Sequence, residues 1–197
     1  MIINSLEKTI QLKIIYYGPA LSGKTTSLKA LFRHFGKEKE VKSIESTVKR
    51  TLFFDYGTIS FKNSQWTLKI HIYSTTGQDF YIVTRPVTLK AMDALIFVAD
   101  SQQKTLKRNI VSWGELKNYL GEKLLKLPIV IAFNKQDLPD KYSPRVFLNQ
   151  IESEQYKSLK TERTIAINGE GILHSFENLL TLIFQNLSQN KPLLSII

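Results

Sequence analysis

The sequence predicts an α/β fold in which a mainly parallel central sheet, with one antiparallel strand, is covered by helices on both faces. Two unbroken apolar runs, Ala94 to Ala99 and Ile129 to Phe133, suit strands buried on both sides. Each run stops at a polar residue, Asp100 and Asn134. Along the whole chain, strand-like runs alternate with stretches of helical spacing, as parallel strands joined by crossover helices require.

The first strand is Lys13 to Tyr17, β-branched and aromatic, halted by Gly18. After Lys24 the apolar residues Leu28, Leu31 and Phe32 recur at helical spacing, so the order is strand, glycine loop, helix. Leu52 to Phe54 with Phe61, followed by Trp66 to Tyr73, reads as a hairpin turning at Gly57 or Asn63. Asn109 to Leu120 is an amphipathic helix between the two buried strands. Arg145 to Leu159 is a further helix, Thr164 to Ile167 a last short strand, and Ile172 to Leu187 a closing helix with Leu179, Leu180 and Ile183 inward. No repeat, low-complexity tract or linker interrupts this order, so the reading is one domain over residues 1–197. In such sheets ligands sit beyond the carboxyl ends of the strands.

Composition narrows the function. The absence of cysteine excludes a disulfide framework, a zinc ribbon and a thiol nucleophile, and fits a reducing cytoplasm. Glu7, Lys8, Gln11 and Lys13 break up the apolar residues of Met1 to Ile15, which argues against a secretory signal. No run is long and apolar enough to span a bilayer. Residue 2 is Ile and the chain ends Leu194-Ser195-Ile196-Ile197, so no lipid anchor is expected and a partner must carry the protein to any membrane. The net charge of +10 is spread along the chain, densest at Lys37 to Lys42 and Lys104 to Arg108, without interleaved aromatics. That pattern fits a steering surface and no direct nucleic-acid binding. His34, His71 and His174 fall in unrelated elements and are read as structural.

Gly18-Pro19-Ala20-Leu21-Ser22-Gly23-Lys24-Thr25 matches the P-loop pattern, with a strand before it and a helix after it. Triphosphate oxygens need many donors at close range, and glycines at the tight points let backbone N–H groups wrap around them. Lys24 is assigned to the β- and γ-phosphates and the Thr25 hydroxyl to Mg²⁺, with Thr26 and the positive end of the helix facing the same anion. Asn134-Lys135-Gln136-Asp137 follows a buried strand and is the guanine signature of GTPases. The Asp137 carboxylate can accept from both N1–H and the N2 amine of guanine, a donor pair that adenine lacks. Lys135 would lie over the base and Asn134 would tie this loop to the P-loop.

Ser74-Thr75-Thr76-Gly77-Gln78 stands where GTPases carry Asp-x-x-Gly-Gln. Gly77 N–H is assigned to the γ-phosphate and Gln78 to the attacking water. Ser74 replaces an aspartate and leaves a hydroxyl where a charge would hold metal-bound water more firmly. A switch needs a further threonine that reaches Mg²⁺ only with a γ-phosphate present, and Thr47 and Thr51 are the candidates.

Tyr16-Tyr17-Gly18-Pro19, Leu21 to Thr26, Arg50-Thr51-Leu52-Phe53-Phe54-Asp55, Gly77-Gln78 with Phe80-Tyr81, and Phe97 to Gln102 together resemble the bacterial MglA family of small GTPases. The similarity extends to Gly169-Glu170-Gly171 and the closing helix. It implies a Ras-like P-loop GTPase domain acting as a cytoplasmic polarity and motility switch. Its GTP form would recruit effectors at a cell pole, and a Roadblock-domain partner of the MglB type would stimulate hydrolysis. The resemblance selects Thr51 as the Mg²⁺ threonine and makes Arg50 a candidate internal arginine finger, which would neutralise charge in the transition state. The alternative for Arg50 is a solvated loop residue. It also implies that the strand Leu52 to Phe61 shifts between nucleotide states.

Four features depart from the family. Ala20 stands where glycine is usual, Thr76 replaces a proline with Asp79 following the glutamine, and the stretch Tyr56 to Gln65 is short. Ile165-Ala166-Ile167 occupies the Ser-Ala-x base loop and keeps only its central alanine, which leaves Ala166 and Ile167 as base-loop residues. The leading reading is a hydrolysing GTP/GDP switch. Its alternative is a GTP-binding scaffold whose hydrolysis is impaired by Ala20, Ser74 and Asp79. A third, ATP-dependent chemistry, would require tight ATP binding despite Asp137.

Overall fold

The computed structural model describes residues 1–44, 54–75 and 88–189. Its strands are β1 (Ile2–Asn4), β2 (Thr9–Tyr17), β3 (Lys42–Ile44), β4 (Phe54–Lys62), β5 (Thr67–Thr75), β6 (Ala94–Asp100), β7 (Ile129–Asn134) and β8 (Leu159–Arg163). The α-helices are α1 (Lys24–His34), α2 (Leu106–Leu120), α3 (Pro144–Gln150) and α4 (Ile172–Gln189). The strands form one sheet in the order β3-β4-β5-β2-β6-β7-β8. Along that path β4 alone runs against the others, which is the expected antiparallel strand. β1 adds a second reversed strand, pairing with Thr9 to Gln11 of β2 below the point where β6 takes over at Ile14.

The pleat of β2 sorts its residues between two cores. Leu12, Ile14 and Tyr16 face one side with Leu28, Leu31 and Phe32 of α1 and Phe176, Leu179 and Ile183 of α4. Ile15 and Tyr17 face the other with Trp113 and Leu116 of α2 and Phe147 of α3. The residues of β6 and β7 divide in the same way, so both strands are buried along their length, as their unbroken apolar runs require. Leu180 of α4 is half-buried at the margin of the first core. Among the described residues, no helix is long and apolar enough to cross a membrane.

The structure selects one of the two turns that the sequence offered and moves two boundaries. The hairpin turns at Asn63, whose Oδ1 accepts from the backbone N–H groups of Gln65 at 2.8 Å and Trp66 at 2.6 Å. Gly57 instead lies within β4 against Phe32. The predicted helix Arg145 to Leu159 ends at Gln150, because Glu152 turns left-handed at φ 53° and a short 3₁₀ turn leads into β8. The last strand is Leu159–Arg163 rather than Thr164 to Ile167. As an edge strand paired, among the described residues, only to β7, it has no need of apolar residues and carries Lys160, Glu162 and Arg163.

A Cβ added at Gly57 would lie 2.4 Å from the Phe32 ring, which is fully buried in the core and has little room to shift. Gly57→Ala is therefore expected to destabilise the fold by about 1–3 kcal/mol through overpacking. The check is a lower urea midpoint with an unchanged m-value.

Candidate functional site

The loop between β2 and α1 carries the phosphate motif. Gly18 has φ +142°, and a Cβ there would meet the Val98 carbonyl oxygen at 2.3 Å. Gly23 has φ +104°, and its Cβ would meet Asn134 Nδ2 at 2.2 Å. Both positions thus need glycine for conformation and for space. Gly23 caps α1 without any side-chain hydrogen bond, and the first turn holds no acidic residue. Backbone N–H groups and the positive end of the helix dipole at such a start favour an anion. Lys24 is buried, and its Nζ donates to the carbonyls of Gly18 at 2.9 Å and Pro19 at 2.7 Å, which holds the ammonium over the loop. Thr25 and Thr26 are exposed beside it. Arg108 of α2 reaches across and donates through Nη2 to the Ala20 carbonyl at 3.1 Å.

The guanine motif lies at the carboxyl end of β7, two strands away. Asn134 is 2% exposed and joins three segments. Its Nδ2 donates to the Ser22 carbonyl at 2.8 Å, and its Oδ1 accepts from Ala166 N–H at 2.9 Å and Thr164 Oγ1 at 3.2 Å. One side chain thereby fixes the P-loop, the guanine motif and the loop after β8 to one another. Ala166 is buried in this contact, whereas Ile167 is 75% exposed.

Lys135 takes a left-handed conformation at φ +66°, and its Nζ sits 2.7 Å from Asp100 Oδ2. Asp100, at the end of β6, is nearly buried and braced by its neighbours. Its N–H donates to Asn109 Oδ1 at 3.2 Å, while Asn109 Nδ2 donates to the Asp100 carbonyl at 2.8 Å and to Tyr142 Oη at 2.9 Å. Burial, and then the charge of Asp100, pushes the Tyr142 phenol well above its ordinary pKa, so it stays a neutral brace. Asp137 is exposed.

The third corner lies between α1, β4 and β5. Thr25 Oγ1 donates to Asp55 Oδ2 at 2.5 Å, and Ser43 Oγ donates to Asp55 Oδ1 at 2.7 Å. Ser74 is 1% exposed, and its hydroxyl has no hydrogen-bond partner among the described residues. Tyr16, beside it on β2, is fully buried, and burial pushes its phenol far up. Arg50, Thr51, Gly77 and Gln78, together with Thr47, Thr76 and Asp79, lie outside the described residues.

Sequence reasoning missed Asp55, Asp100, Asn109 and Arg108 as members of this site. Asp100 gave the clearest signal, an acid closing a buried apolar run at the carboxyl end of β6, the strand between those that lead into the two motifs. Asp55 and Arg108 come from elements whose register only the tertiary structure supplies.

The sequence model of the ADP-ribosylation factor family matches residues 1–183. The chain is 32% identical over 193 residues to the mutual gliding-motility protein MglA of Myxococcus xanthus, covering 95% of this chain and 97% of that one. It is 30% identical over 183 residues to the Ras-related protein Rab-11C of Dictyostelium discoideum, covering 92% of this chain and 76% of the relative. With a P-loop at the mouth of β2 and a guanine motif locked to it through Asn134, the chain belongs to the ADP-ribosylation factor family and is an MglA-like small Ras-like GTPase.

Proposed function

We propose that this protein is a cytoplasmic GTP/GDP switch of cell polarity or motility that hydrolyses GTP slowly alone and faster with a Roadblock-domain partner of the MglB type. The observation that carries the reading is the triple attachment of Asn134, which places the phosphate loop and the base-reading loop in one rigid arrangement. Gly18 to Thr26 hold the phosphates, with Lys24 neutralising their charge, and Asn134, Lys135, Asp137, Ala166 and Ile167 surround the guanine. The left-handed glycines and the positive N-terminal end of α1 fit an anionic ligand, and the Thr25 hydroxyl fits a hard divalent cation such as Mg²⁺. Thr25 and Thr51 would hold that ion, which supplies charge neutralisation at the β- and γ-phosphates.

Gly77 and Gln78 complete the hydrolytic site in this reading, Gln78 orienting the water and Arg50 answering the charge that develops on the leaving phosphate. The GTP state is read by polarity or motility effectors, and the pole is reached through partners. Similarity to the gliding-motility protein MglA over nearly the whole of both chains supports this assignment.

The test is single-turnover GTP hydrolysis by nucleotide-stripped protein with Mg²⁺, alone and with a Roadblock-domain protein from the same genome. Acceleration by the partner is the expected result, and Gln78→Leu is expected to abolish that acceleration while GTP binding persists. Tight GTP binding with no hydrolysis in either condition, unchanged by Gln78→Leu, would establish the scaffold instead. The buried Ser74 hydroxyl, without a partner among the described residues, is the observation that favours that second outcome.

A further inference from the structure

Position 74 is the strand exit at which a small GTPase is expected to carry an aspartate behind its metal site, and here it holds a serine whose buried hydroxyl has no partner among the described residues. The sheet register places Asp55 of β4 directly opposite Ser74 of β5. The Asp55 carboxylate is aimed at the phosphate loop. Its Oδ2 accepts from Thr25 Oγ1 at 2.5 Å, a short charge-assisted hydrogen bond, and its Oδ1 accepts from Ser43 Oγ of β3 at 2.7 Å.

We propose that Asp55 is the positioning carboxylate of the Mg²⁺ site, supplied from β4 in place of the one missing at Ser74. This rests on the reading of Gly18 to Thr26 as a Mg²⁺-nucleotide site. A hydroxyl whose proton is committed to a carboxylate presents its lone pairs outward and binds a cation as a stronger donor. Asp55 thus orients Thr25 and raises its basicity without touching the ion itself. Ser43 in turn fixes the carboxylate from the far side, so the edge strand β3 becomes part of the metal site's support. The carboxylate has moved one strand along the sheet, from β5 to β4, while still serving the end of α1.

The experiment measures release of a fluorescent GDP analogue from the full chain as Mg²⁺ is titrated, with an EDTA baseline. For Asp55→Asn, a near-isosteric change, the Mg²⁺ concentration that half-maximally slows release is expected to rise about 10–100-fold, the usual cost of losing a group that orients a metal ligand. Release in EDTA is expected to change less than about twofold, and adding Ser74→Asp to Asp55→Asn is expected to bring the midpoint back most of the way. Ser43→Ala, which leaves Asp55 charged but unties its second oxygen, is expected to shift the midpoint the same way by about three- to tenfold, and it tests the assignment even if the Asp55 variant folds poorly.

An unchanged midpoint in both Asp55→Asn and Ser43→Ala would overturn the proposal. So would equal acceleration with and without Mg²⁺, which marks a purely structural role, or a lowered midpoint, which marks Asp55 as a group that blocks the ion. Failure of the underlying reading looks different: the unaltered protein would release GDP at the same rate with and without Mg²⁺.

Discussion

Asp137→Asn is expected to move the base preference from guanosine to xanthosine nucleotides. The carboxylate can accept two hydrogen bonds from the N1–H and N2 amine of guanine. Hydrogen bonds to a charged group contribute about 1.5–3 kcal/mol each, so losing the pair should weaken GDP binding by about a hundredfold to ten-thousandfold. An Asn amide offers one acceptor and one donor. Its NH₂ would face the guanine amine donor to donor, but it pairs with xanthine, which has a carbonyl at that position. Because Asp137 is exposed at the loop surface, the substitution should leave folding intact. Calorimetric titration with GDP and XDP gives the answer directly, and a variant that kept its guanosine preference would show that another group reads the base.

The second large effect is expected from Gly23→Val, which should reduce binding of both GDP and GTP by more than about a hundredfold while most of the sheet stays folded. Gly23 combines φ +104° with a Cβ position 2.2 Å from Asn134 Nδ2. A β-branched residue there costs about 1–3 kcal/mol in backbone strain and a similar amount in overpacking. The strain is relieved most cheaply by pushing Asn134 away, which breaks its bonds to Ser22 and Ala166 together. The phosphate loop and the base loop then lose their common anchor, and the binding site is no longer preorganised. Gly114→Ala is the matched control, since Gly114 lies in α2 with nothing within 4 Å of its Cβ position. It should raise stability by about 0.5–1 kcal/mol and leave nucleotide affinity unchanged.

Legibility in the sequence followed burial and local chemistry. The central strands β6 and β7 are surrounded by core on both faces, so their apolar runs announced them. The P-loop and Asn134-Lys135-Gln136-Asp137 were readable because each is a contiguous segment whose residue types answer to one ligand group. The edge strand β8 was misplaced for the converse reason. It buries little, its polar residues resemble a loop, and the apolar Thr164 to Ile167 drew the assignment although Ile167 is exposed. The helix after Pro144 was drawn too long because spacing alone does not reveal the left-handed turn at Glu152.

By itself the sequence determined the α/β class, the phosphate and guanine motifs and the order in which the chain presents them. These depend on residues within one turn or one strand of each other, where sterics and hydrogen-bonding capacity act over short range. Only the tertiary structure decided that Asn134 locks three loops together, that Asp100 braces Lys135, and that the carboxylate at Thr25 comes from Asp55 on the strand beside Ser74. Those contacts join residues 30 to 112 positions apart, and they are set by sheet register and crossover geometry, which pack distant segments side by side without leaving a local trace.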